Sequence, residues 1–371
     1  MPDPATQAAF ALIESTPAQD LTDELAKTLE RVGLDGVLAD PNRSGEAATA
    51  PGPACGAGFT WDKQDRDSTA WFPQGITTCA DATGQPTRDG RRVMLISWYA
   101  KLVRGRSQGA RITVVDHTDP ERPRYRHVLL VQPVRRLWRV DLRPVRSHAG
   151  GMAWYGDRLY VAATRSGLRV FLLDDIMRVP QRRPRWRWGR DRSADIGLGR
   201  GWSGRYRAYG YRYVLPQSSA YVPSEHPGAT GLRFSFMSLD RTGTEHQLIT
   251  GEYAREGSPA RLARWGLDPV SYGLRRDAGR GAVPLEVLDD QMQRMQGATM
   301  FDGSWFITSS AVEGNPGGLW VGMTGSVRHH PGVLPTGPED VTYYAPDEVL
   351  WTLTEWPGRR WVYPVDVRGW V

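Results

Sequence analysis

The phrase Trp71-Phe72-Pro73-Gln74-Gly75-Ile76-Thr77 returns in altered form along the chain, and this recurrence limits the folds open to it more than any single motif. Its echoes are Ser147-His148-Ala149-Gly150-Gly151-Met152-Ala153, Pro216-Gln217-Ser218-Ser219-Ala220-Tyr221, Met295-Gln296-Gly297-Ala298-Thr299 and Pro338-Glu339-Asp340-Val341-Thr342. Each leads through a turn into an apolar or aromatic run of strand length. A unit of that kind cannot bury its apolar face alone and must stack on others like it, which is the pattern of β-propeller blades.

Composition agrees. Among 371 residues there are 15 Trp, 14 Tyr, 41 Gly and 27 Pro, which favours short aromatic strands joined by tight turns. The expected fold is all-β: a five-bladed β-propeller over residues 58–371, preceded over residues 1–57 by a helical extension and a linker. In the extension, Leu21, Leu25 and Leu29 share one helical face, Asp20 or Thr22 can cap it, and Gly33 can stop it. Blade one is read at 74–78, 93–99, 111–115 and 127–131. Blade three is read from 219–222, and blade five at 340–344, 349–354 and 360–365. Only three strands are evident in blade five, so ring closure predicts that Phe59-Thr60-Trp61 supplies the missing outer one.

No run is long and apolar enough to span a bilayer, and no signal peptide is evident in the sequence. Cys55 and Cys79 stand 24 positions apart in Gly- and Thr-rich surroundings with no metal-type spacing. A disulfide between them would staple the closing seam and imply an oxidising compartment; the alternative is two unpaired thiols. The formal charge is +6, and only three of the 47 basic residues are Lys (Lys27, Lys63 and Lys101). That bias points first to a GC-rich genome and second to anion binding. Charge outside the basic stretch described below is nearly balanced, so nucleic acid is not indicated.

Propellers bind at the mouth of the central channel, where the inner strands begin. Aligning the phrases brings Gln74, Gln296 and Glu339 to one level, with Asp340, His148, Gln217, Arg146 and Arg294 within reach of the same mouth. Polar side chains converging on a narrow channel satisfy one another, hold water or meet a ligand. His148 paired with Glu339 or Asp340 is a minimal set for proton transfer, as in a lyase, cyclase or isomerase. The alternative is a water-bridged channel lining. Carboxylates come from blade five alone, which disfavours a glycosidase. No transition-metal site is read, and Ca²⁺ or Mg²⁺ in the channel is the better match for such ligands.

Residues 181–213 form a second singular stretch, in which Arg187, Trp188 and many further Arg and aromatic residues alternate. Such a loop can bind phosphates, uronic acids or sugars, or simply cover neighbouring strands with its long side chains. Gly199-Arg200-Gly201-Trp202-Ser203-Gly204 matches GxGxxG but neither follows a strand of a βαβ unit nor opens a helix.

The phrases Tyr209-Gly210-Tyr211-Arg212-Tyr213-Val214-Leu215-Pro216-Gln217, Met295-Gln296-Gly297-Ala298 and Pro338-Glu339-Asp340 resemble those of secreted β-propeller proteins of actinobacteria. The resemblance covers 58–371; it implies the fold and an extracellular location and carries no catalytic residues over. A more distant likeness to lactonase-like and strictosidine-synthase-like propellers rests on the Gly-rich blade openings and on Pro338-Glu339-Asp340. The metal-binding Asn and Asp residues expected there are not recognisable. Together these readings lead to an exported, monomeric protein that binds a polar anionic or carbohydrate-like ligand at the channel mouth. The alternatives are an enzyme using His148 and Glu339, or a protein scaffold acting through the 181–213 loop.

Overall fold

The computed structural model describes residues 8–370 except 103–106, 181–196, 202–203, 225–230, 256–257, 259, 278, 280 and 313. Among these the chain is all-β, with four short α-helices, Gln19–Ala26, Gly33–Leu38, Lys63–Arg66 and Cys79–Thr83. The strands form successive antiparallel meanders. The first runs through Trp71–Thr78, Val93–Ala100, Ala110–Asp116 and Arg124–Arg136. The second uses Met152–Tyr155, Arg158–Ala162, Leu168–Leu172 and Tyr213–Pro223. Then come Phe236–Asp240 with Gln247–Gly251, Leu262–Gly266 and Glu286–Leu288, and Met295–Phe301 with Ser304–Ser309, Gly317–Met323 and Ser326–Leu334. The last meander is Pro338–Tyr344, Val349–Thr354 and Trp361–Asp366; Ala57–Thr60 is added to it through Trp361↔Thr60 and Val362↔Phe59, as closure by an N-terminal strand requires.

The first strand of each meander packs on the first strand of the next, and Pro338–Tyr344 packs on Trp71–Thr78, giving a propeller-like arrangement. The first two meanders are also joined at their outer edges, where 214–216 pair in parallel with 129–131, so hydrogen bonding merges them into one 13-stranded sheet. Apolar clusters lie between neighbouring meanders. Leu95, Val114, Trp154 and Phe171 fill the space between first and second, and Phe236, Ile249, Trp305 and Ile307 that between third and fourth. At the closing seam Trp61 meets Trp98 edge to face at 4.9 Å and Tyr125 at 5.0 Å, a geometry that suits the ring quadrupoles.

The N-terminal segment is laced along outer strands. Residues 12–14 pair with 221–223, 30–31 with 177–178, 43–44 with 124–125, and 46–49 with 57–60, covering edges that would otherwise present unpaired backbone groups. The helix carrying Leu21 and Leu25 is present, but Gly33 opens the next helix, at φ +59°, where a stop was expected. Two further expectations are corrected. Cys55 and Cys79 are free thiols in separate apolar surroundings, Cys55 beside Leu334 and Tyr363, Cys79 beside Val93 and Leu95. The cysteines therefore give no argument for an oxidising compartment. Residues 216–221 belong to the outermost strand of the second meander, and the third inner strand begins instead at Phe236.

Candidate functional site

The repeated phrase encodes a local irregularity. Register shifts interrupt the pairing between Pro73 and Ile76, between Met295 and Gly297, and between Pro338 and Val341. Gln74, Gln296 and Glu339 sit on these shifts. A bulge adds a residue without a partner and re-aims its side chain, and here all three side chains line one cavity of about 830 Å³. Beside two of the inner-strand entries, Ala149 and Arg294 hold left-handed backbone at φ +53° and +62°, a conformation costly for residues other than glycine and frequent at functional sites.

Gln74, His148, Arg294, Gln296 and Glu339 are thus brought together around this one cavity. Gln217, Arg146 and Asp340 are not. Gln217 lies in the outermost strand of the second meander, and exposed Arg146 is not part of the lining. Arg187 and Trp188 lie outside the described residues. Asp340 neighbours Glu339, yet in the alternation of the strand it points to the centre of the ring. There its Oδ2 accepts the N–H of Met152 at 3.2 Å and that of Ile76 at 3.3 Å.

The cavity wall has a second source that the repeated phrase does not mark: the ends of the second strands. Tyr99, Thr164, Tyr253, Ser310 and Glu355 all line it, one from each meander. Tyr stands at two of these positions and Thr, Ser and Glu at the others, so no letter common to all five marks them. Arg165, Arg233, Arg255 and Arg359 add positive charge, and Trp356 adds an aromatic face.

Glu339 and Glu355 form the electrostatic centre of the site. Glu339 is 4% exposed. Burial, then the charges of Glu355 and Asp340, then a hydrogen bond to Glu355 push its pKa well above the ordinary 4.5. Burial raises Glu355 as well, while hydrogen bonds from Gln74 and Glu339 favour its ionised form. Glu339 is therefore the member that keeps the proton and donates it, and Glu355 the member that carries the charge. Gln74 Nε2 donates to Glu355 Oε2 at 3.1 Å and to the Pro73 carbonyl at 2.8 Å, which fixes the amide.

Arg360 anchors this floor from behind. Fully buried, it donates from Nε to the Glu355 carbonyl at 2.7 Å and from a terminal nitrogen to the Trp71 carbonyl at 2.8 Å, with its guanidinium 5.0 Å from the Phe72 ring centre. His148 does not face Glu339 as a hydrogen-bonded partner. Its ring lies against Tyr99, centroids 4.3 Å apart and planes 30° off parallel. Its open surface faces the cavity, and the enclosing walls hold its pKa below the ordinary 6.5, favouring neutral imidazole. Burial and the charges of Glu355 and Glu339 raise the Tyr99 phenol to about 12, so it is a hydroxyl donor at neutral pH.

These residues do not fit a divalent cation. Among the described residues no three His, Cys, Asp or Glu side chains converge as a metal set. Backbone N–H groups, repulsive to a cation, point at Asp340.

No family model and no curated protein sequence matches this chain. Solved structures similar to it include the β-propeller domain of Myceliophteria thermophila Cps50 (Swd1), at 10% identity, TM-score 0.36, covering 79% of this chain and 96% of that one. The GH43_1 enzyme of Xanthomonas citri, complexed with xylotriose, is 12% identical with TM-score 0.34 and covers 93% of both chains. XC5397 of Xanthomonas campestris, described as a gluconolactonase, is 10% identical with TM-score 0.34, covering 88% of this chain and 89% of that one. Likeness at this level transfers no residue role.

Proposed function

We propose that the chain is a five-bladed β-propeller whose axial cavity binds a small, polar, carbohydrate-like ligand carrying an anionic group. The observation that carries this reading is the convergence of Gln74, Gln296, Glu355 and Arg294 with Tyr99 and Trp356 on one cavity of about 830 Å³. Amides and a carboxylate at the floor suit hydroxyl groups, aromatic faces suit the C–H faces of a sugar ring, and arginines suit a carboxylate. The volume is that of a small-molecule site. Thermal shift with a panel of neutral sugars and the matching uronic and aldonic acids tests the reading. The acids should stabilise the protein more than their neutral counterparts, and Arg294→Ala should abolish the difference. A flat response across the panel would defeat it.

A second reading, proton transfer on such a ligand, is favoured by one specific observation: the buried Glu339 carboxyl, pushed well above its ordinary pKa, hydrogen-bonds Glu355, which also accepts from Gln74. The pair combines an acid and a base, a role that the sequence alone assigns to His148 with Glu339. Direct hydrogen bonding also places the two carboxyls closer than the roughly 5 Å or more between the paired carboxyls of glycosidases, so glycoside cleavage by this pair is disfavoured. Hydrogen exchange from solvent into a bound sugar acid, followed by NMR, separates catalyst from binder. In the catalyst Glu339→Gln stops exchange while the ligand still binds; in the binder no exchange occurs in either form.

A further inference from the structure

A second cleft, of about 300 Å³, opens at the edge of the first meander and shares no lining residue with the axial cavity. It lies where the N-terminal arm, strands Ala110–Asp116 and Arg124–Arg136, and the approach to strand Tyr213–Pro223 meet. Four arginines line it, Arg43, Arg111, Arg126 and Arg212, and among the described residues no carboxylate does.

The carboxylates stand behind the arginines and hold them in place. Buried Asp65 meets Arg111 at 3.0 Å and Arg43 at 3.2 Å. Asp40 meets Arg126 at 3.2 Å and Arg212 at 2.9 Å, and Asp62 meets Arg43 at 3.2 Å. Among these described residues four guanidiniums face three carboxylates, an excess of one positive charge. His127 adds none: burial and the nearby Arg111 bring its pKa down to about 4.

The donors are also pre-organised. Arg111 lies 4.5 Å from the Trp71 ring centre and 4.8 Å from that of Trp98, and Arg126 lies 5.2 Å from that of Tyr213. Stacked guanidiniums lose little further freedom when they take a ligand. Arg43 and Arg111 each leave a buried Nε without a hydrogen-bond partner, and Asn42 and Gln108 add amides to the rim.

We propose that this cleft is a binding site for a phosphate group, either as the free ion or as the ester of a small molecule. A planar fork of N–H donors matches tetrahedral oxyanions, and several such forks on one surplus charge make the site selective for anions. Isothermal titration of the full chain at low ionic strength with inorganic phosphate, and separately with glycerol phosphate, tests it. Saturable binding is expected, weakened about tenfold or more in Arg212→Gln and in Arg126→Gln, as loss of a charged hydrogen bond requires. Glu339→Gln, in the axial cavity, should bind phosphate as the unmodified protein does. Binding of the ester alone would assign the site to phosphorylated small molecules, and binding of both to the phosphate group itself. Absence of saturable binding to either probe would overturn the proposal. So would unchanged affinity in an Arg212→Gln variant whose circular dichroism matches the unmodified protein.

Discussion

Asp340 Oδ2 accepts the backbone N–H of Met152 at 3.2 Å although the two residues belong to different meanders and lie 188 positions apart. With the Ile76 N–H at 3.3 Å, one side chain ties three inner strands together at the centre of the ring. Asp340→Ala would leave two buried donors without an acceptor, at about 1–3 kcal/mol each. Chemical denaturation should show a loss of about 2–6 kcal/mol, while Asp340→Asn, which retains one acceptor oxygen and removes a carboxyl whose pKa burial raises well above 3.8, should lose less than half as much. An alanine variant as stable as the original would remove Asp340 from this structural role.

The neighbouring Glu339 should behave in the opposite way. Its folded pKa is raised well above 4.5, so the folded state binds a proton that the unfolded chain gives up. Stability linked to this group is complete below pH 4.5 and is lost as pH rises toward the folded value. Glu339→Gln keeps a donor for Glu355 and removes the titration. The variant should be the more stable form at neutral pH, because it no longer has to hold a proton that the unfolded chain gives up. The gap should close as pH falls to 4.5, and guanidinium midpoints collected across that range read it directly. A variant less stable than the original at every pH would show that Glu339 is not protonated in the fold.

Both cysteines should titrate as thiols. Cys55 and Cys79 are unpaired, burial pushes the Cys55 thiol up to about 12, and burial raises Cys79 as well. Since the thiolate is the reactive form, a disulfide reagent should react slowly with the native protein and quickly, with both thiols, after unfolding. Detection of no thiol in unfolded, unreduced protein would restore the bridge expected from the spacing.

The fold was legible where the backbone irregularity repeats and illegible where it does not. Gln74, Gln296 and Glu339 announce themselves because each stands before a small or acidic residue at the same point of an inner strand. The third inner strand is entered through Ser235-Phe236, which lacks that pairing. Pro216-Gln217-Ser218 imitates it because Tyr213–Pro223 is paired on both edges and buried along most of its length, as an inner strand would be. Glu355 is hidden in the sequence for a different reason. It follows the last residue of a second strand, and its importance comes from lying beside Glu339 on the paired neighbouring strand and from meeting Gln74 of the first meander, which only the closed ring brings near.

That closeness makes the inner glycines the most sensitive positions of the ring. A Cβ at Gly75 would lie 2.8 Å from both the Gly151 carbonyl carbon and the Met152 nitrogen. Both are backbone atoms, so rotation of a side chain cannot relieve the clash; the strands must move apart, which in packed interiors costs about 1–3 kcal/mol and occasionally more. Gly90 supplies the control. It occupies a hairpin turn at φ +76° with nothing within 4 Å of its would-be Cβ, so Gly90→Ala carries only the left-handed backbone cost of about 1–2 kcal/mol. Gly75→Ala should destabilise the protein at least as much as Gly90→Ala. It should also weaken sugar-acid binding at the axial cavity, because the displaced strand carries Gln74, whereas Gly90→Ala should leave that binding unchanged. Equal ligand affinity in the two variants would show that the spacing of the inner strands does not set the geometry of the site.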